Sequence, residues 1–167
     1  MFQAVLSALA FVPMVAEAAL SARHERRLRA AGAIEPNDDV FGVMQIAYPS
    51  CFALMIAESW VAGHVAPTAL WAGVALFAMA KALKYWAIAT LGVRWTFRVL
   101  VPPDSRRIVR GPYRLVRHPN YIAVAGELCG FALIARAPVT GAIAVLAFGA
   151  LMRARVRIEE RALGLRA

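Results

Sequence analysis

Residues 111 to 127 read GPYRLVRHPNYIAVAGE, and residues 152 to 163 read MRARVRIEERAL. The first stretch masses Tyr113, Arg114, Arg117, His118 and Asn120 against an apolar run, then places Glu127 inside that run. The second pairs Glu159 with Glu160 among Arg153, Arg155, Arg157 and Arg161. Arginine and histidine hold carboxylates, while two adjacent carboxylates hold an ammonium group or ribose hydroxyls. Taken singly, the arginines of the first stretch fit phosphate anchors at a membrane surface and the second stretch fits a solvated, dipole-compensated helix end; together they offer groups for an ammonium or ribose hydroxyls and for a carboxylate. Glu127 is a candidate of a different kind: an ionisable group inside an apolar span costs several kcal/mol unless it is paired, neutralised or wetted. It lies seven residues after Asn120, on nearly the same helical face. Glu17 and Glu58 pose the same question nearer the ends of their spans.

These residues must be positioned by membrane helices. Hydrophobic residues make up 61% of the chain and charged residues 17%, and the mean hydropathy is +0.60, well outside the soluble globular range. Lipid cannot satisfy open sheet edges, so the expected fold is all-α, an integral membrane bundle forming a single domain over residues 1–167. A span needs about 20 apolar residues, and five candidates emerge: 1–22, 40–63, 67–90, 119–135 and 138–152. The first three occupy 1–90, and the last two form a tight hairpin within 91–167. Pro119 and Pro138 suit first helical turns. Pro119 also disfavours helical geometry at His118, and Gly111-Pro112 favours a sharp turn, so His118 is expected on a bent segment at the membrane surface.

With five alternating spans, all but one of the 19 Lys and Arg fall on one face, Lys81 and Lys84 being counted with the exit of the third span; Arg136 is the exception. The positive-inside rule makes that face cytoplasmic, with the amino terminus outside and the carboxyl terminus inside. The net charge of +9 is thereby explained by topology, and no nucleic-acid partner is expected. A signal peptide fits the first apolar stretch poorly, because no Lys or Arg precedes it. Cys51 and Cys129 have no metal-ligand spacing and are expected to pack, so no metal is expected. Neither a Walker-type loop nor a G-x-G dinucleotide fingerprint occurs, so any nucleotide-like cofactor must be held without a Rossmann domain.

The order G-P-Y-R-x-x-R-H-P-x-Y, then a short apolar hairpin, then R-I-E-E-x-x-L, resembles the isoprenylcysteine carboxyl methyltransferase and phospholipid methyltransferase superfamily. The resemblance covers roughly residues 80–163, with T-L-G-V-R-W before the first motif. It implies an integral-membrane enzyme using S-adenosylmethionine, with Tyr113, Arg117, His118, Pro119 and Tyr121 in the cofactor pocket and Glu159 and Glu160 closing it. Arg157 matches the catalytic or acceptor-orienting arginine; apart from the resemblance, a phenol or enol acceptor would need a base, for which Glu127 or a glutamate of the tail is a candidate. The usual continuation F-G-x-x-Y-x-x-Y is replaced here by the ending LGLRA. The stretch Y-P-S-C-F-A-L-M-I-A-E is similar to methyltransferase-family proteins associated with alkylpyrone or alkylresorcinol synthesis, which implies O-methylation of a small lipophilic acceptor in the bilayer. The alternatives are carboxyl methylation of a prenylcysteine, an NADPH-dependent membrane reductase of related architecture, and a non-catalytic scaffold.

Overall fold

A computed structural model describes residues 1–36, 40–63, 67–103 and 108–162. Five helices follow in order: α1 (Phe2–Ala30), α2 (Phe41–Glu58), α3 (Pro67–Leu91), α4 (Pro119–Ala135) and α5 (Pro138–Ala162). Short 3-10 turns occupy Gly92–Arg94 and Gly111–Arg114. No strand occurs among the described residues; the nearest approach is one antiparallel bridge between Ile34 and Val101.

Four of the five helices, all but α4, are long and apolar enough to cross a membrane. At 17 residues, α4 rises about 26 Å, short of a hydrocarbon core of about 30 Å. Its position accounts for the difference from the others. Glu127, Leu128, Phe131 and Ala135 on α4 are fully buried, so it is the central helix, shielded by its neighbours. Pro119 and Pro138 open α4 and α5, and Arg136 turns the chain between them in the left-handed region.

The seam between α3 and α4 depends on missing side chains. A Cβ on Gly130 would stand 2.6 Å from the Phe77 amide nitrogen, and one on Gly73 would stand 2.8 Å from the Leu133 Cβ. Close backbone approach through small residues is how helices associate in lipid, where the solvent supplies no hydrophobic drive. Gly130→Ala must push α3 away from α4, with an expected cost of about 1–3 kcal/mol. A lowered midpoint in thermal unfolding of the detergent-solubilised protein is the expected result. An unchanged midpoint would show that the seam can relax.

Opposite ends of the bundle differ in character. At one, Arg136 donates to the Gly63 carbonyl at 3.2 Å and its guanidinium lies 4.7 Å from the Phe2 ring. Glu58 accepts from the amides of Val139 and Thr140 at 3.2 and 2.8 Å, capping the start of α5 from another helix. At the other end α1 runs on for two further turns and grips the segment after α3. His24 Nδ1 donates to the Trp95 carbonyl at 2.8 Å, and the Phe97 amide donates to Ser21 Oγ at 2.7 Å. Arg98 pairs with Glu35 at 2.6 Å and lies 4.4 Å from the Phe41 ring. Residues 95–101 are thereby fastened as a roof over the basic end.

Candidate active site

Beneath that roof is a cavity of about 470 Å³. Its polar end is built from the two motifs. Gly111 holds φ +55°, and a Cβ there would meet Thr90 Oγ1 at 2.5 Å, so the turn into Pro112 and Tyr113 needs glycine. His118 precedes α4 in non-helical geometry, as its following proline requires. Its ring then reaches across to α5: Nδ1 lies 3.6 Å from Glu159 and Nε2 3.5 Å from Glu160. Tyr121 donates to Glu159 at 2.6 Å, and Arg155 Nε approaches the same oxygen at 3.3 Å.

The Glu159 carboxylate, with Glu160 adding and burial opposing, holds the His118 imidazole above its ordinary pKa. Burial, reinforced by the charge of Glu159, pushes the Tyr113 hydroxyl up, so it keeps its proton. Asn120 Oδ1 is buried without a hydrogen-bond partner among the described residues, and Asn120 lines the cavity. A buried amide oxygen without a partner inside the chain is suited to a ligand donor.

Of the residues singled out from the sequence, Tyr113, Arg117, His118, Tyr121, Glu159 and Glu160 line this cavity. Pro119 is buried behind it as the first residue of α4. Arg157 is placed elsewhere. It lies on the exposed face of α5, outside the lining, while Arg155 is 5% exposed and inside it. Helical phase is the reason. The buried stripe of α5 runs Ala144, Phe148, Met152, Arg155, and a step of two residues turns Arg157 by about 200° from it. Continuing the apolar stripe by threes and fours is the sequence signal that reaches Arg155 and then Glu159.

Glu127 is also away from the lining, 0% exposed behind it. It belongs to a buried quartet. Lys81 bridges Glu17 at 2.9 Å and Glu127 at 3.2 Å, and Lys84 bridges the same two at 2.6 and 3.2 Å. Each charge has two counter-charges and the ring is neutral, which is how buried ions are tolerated at membrane depth. Lys81 and Lys84, counted from the sequence with the exit charges, therefore turn inward, and Glu17 is paired rather than free. The Tyr48 hydroxyl also donates to Glu127. Tyr48 and Lys84 line the inner end of the cavity beside Met14, Met44 and Phe148.

The described residues form a helical protein with four potential membrane spans, carrying a charged mouth on a cavity that continues between apolar helix faces. Residues 73–164 match the model of the isoprenylcysteine carboxyl methyltransferase (ICMT) family, and the chain belongs to that family, which implies a membrane methyltransferase. It is 29% identical over 160 residues to the uncharacterized protein YpbQ of Bacillus subtilis (strain 168), with 95% of each chain covered. It is 26% identical over 145 residues to an uncharacterized protein of Haemophilus influenzae, with 86% of this chain and 84% of the relative covered. No solved structure matches.

Proposed function

We propose that the chain is an S-adenosylmethionine-dependent methyltransferase that methylates an oxygen atom of a lipophilic acceptor drawn from the bilayer. The observation that carries this reading is one cavity that joins a charged mouth to an apolar floor. Glu159 and Glu160 would take the ammonium group or ribose hydroxyls of the cofactor. Arg117 and His118 would face its carboxylate, with Asn120 as a further polar contact. When bound, S-adenosylmethionine supplies an electrophilic methyl group on sulfur.

The remaining work belongs to the chain. Arg155, with a planar fork in the cavity, would orient the acceptor oxygen, the role first matched to Arg157. With acceptor and cofactor in place, the roof at 95–101 and the apolar floor would limit water at the reacting atoms, which favours a reaction in which charge is neutralised. The acceptor would enter sideways between α1 and α2, where Val15, Ala18 and Gln45 line the cavity and are exposed. A small phenolic or enolic lipid is the preferred acceptor. The family match favours methyl transfer over nicotinamide-dependent reduction or a scaffold.

His118→Ala and Glu160→Ala are each expected to weaken binding of S-adenosylmethionine at least tenfold, about 1.4 kcal/mol. Calorimetry with S-adenosylmethionine and NADPH in parallel checks this. Wild-type affinity in both variants would move the pocket elsewhere, and tighter binding of NADPH would replace the reading.

The mouth is proposed to face the cytoplasm, because the basic residues gather at its end. Cysteines introduced at Gly63 and Arg136 should label from one side of intact membranes and one at Arg29 from the other. Labelling of the Arg29 and Arg136 sites from the same side would break this topology.

A further inference from the structure

We propose that Tyr48 and Glu127 form a proton relay that activates a neutral, weakly acidic hydroxyl on the acceptor, with Lys84 holding the resulting oxyanion. This rests on the methyltransferase reading and adds to it the residues that deprotonate the nucleophile. Tyr48 and Lys84 line the inner end of the cavity, whereas Glu127 stands behind them with no exposure. The Tyr48 hydroxyl hydrogen is committed to Glu127, so a donor arriving from the cavity meets its oxygen lone pairs. The ring is fixed by Phe52 at 5.0 Å and Phe148 at 5.2 Å, and Lys84 Nζ lies 5.4 Å from its centroid. Glu127 is seven residues beyond Asn120 on α4, about 10 Å along the axis from the mouth. A ligand seated at the mouth and an acceptor seated at Tyr48 can therefore face each other.

The step balances within the chain. The acceptor O–H bond breaks and its proton goes to the Tyr48 oxygen, while the proton of Tyr48 passes to the Glu127 carboxylate. The electron pair stays on the acceptor oxygen, which becomes the nucleophile. One negative charge has moved from Glu127 to the acceptor, and Lys84 both pairs with Glu127 and lines the cavity, so the displaced charge stays beside the quartet with Glu17 and Lys81. Once the methylated product leaves, the proton returns from Glu127 through Tyr48 to water entering the cavity. The groups facing this relay are Glu17 from α1, Cys51 from α2, and Lys81, Lys84 and Tyr85 from α3; α5 contributes the apolar Phe148.

The test compares two acceptors with the same alkyl tail, a phenol and a nitrophenol, the second ionised and the first neutral at about pH 8.5. Radiolabelled methyl transfer is measured for wild type, Tyr48→Phe and Glu127→Gln, beside binding of S-adenosylhomocysteine as the check on folding. The expected result is that each variant loses at least about a hundredfold on the phenol but less than about tenfold on the nitrophenol. Equal losses on both acceptors, or none, would overturn the relay. Wild type carries its own arm: a solvent deuterium isotope effect of about twofold on the phenol and none on the nitrophenol. Its absence on the phenol overturns the relay even where neither variant folds. A wild-type protein that methylates neither acceptor sinks the hydroxyl-acceptor reading itself, and the relay with it; activity on both without the split sinks the relay alone.

Discussion

Arg155→Lys is expected to lower turnover about a hundredfold while changing affinity for S-adenosylhomocysteine by less than about tenfold, since only interactions improved in the transition state raise the rate. Lysine keeps the charge but loses the fork that holds two oxygens at once. Arg155 is buried, lines the cavity and contacts Glu159 at 3.3 Å, so some effect on affinity is built into the geometry. Arg157→Lys, on the exposed face of the same helix, should change both quantities by less than about threefold. Radiolabelled methyl transfer beside direct binding measures the two variants together. The reverse pattern would place the acceptor-orienting arginine at 157 and require α5 to turn by about half a revolution around the mouth.

The second large effect is on stability. Glu17 pairs with Lys81 and Lys84 at 3% exposure, and Glu17→Leu would leave two lysines sharing one carboxylate at membrane depth. Removing one partner of a buried ion pair costs about 3–5 kcal/mol. The double variant Glu17→Leu/Lys81→Leu keeps the Lys84–Glu127 pair and restores neutrality, so it should recover most of that loss. Thermal unfolding in detergent for the two single variants and the double variant gives the coupling directly. Additive losses would mean that the four groups are not energetically linked.

Helix number, the proline starts of α4 and α5, and the meeting of His118 with Glu160 were legible because hydropathy and proline act locally. Three features were not. The inward turn of Lys81 and Lys84 depends on carboxylates from α1 and α4, far away in sequence, and a lysine near a span end reads equally well as an interfacial charge. Which of Arg155 and Arg157 lines the cavity depends only on helical phase, which the buried stripe of α5 sets. The roof at 95–101 is held by Ser21, His24 and Glu35, whose polar types at the end of α1 and just beyond it carry no mark of their target. The short length of α4 became meaningful only with its central place.

The matched region, residues 73–164, contains every group proposed to hold the methyl donor. Met14, Val15, Ala18, Met44 and Tyr48, which wall the inner cavity, all precede it. On the proposed reading the matched half carries the whole donor pocket together with Lys84, Glu127 and Arg155, and the leading pair of helices adds Tyr48 and much of the apolar wall around the acceptor. Selection can then reshape acceptor range at the cavity-lining positions of α1 and α2, provided that Glu17, Ser21 and His24, which hold the quartet and the roof, are kept. A chimera exchanging those two helices between relatives is the unit in which specificity would move.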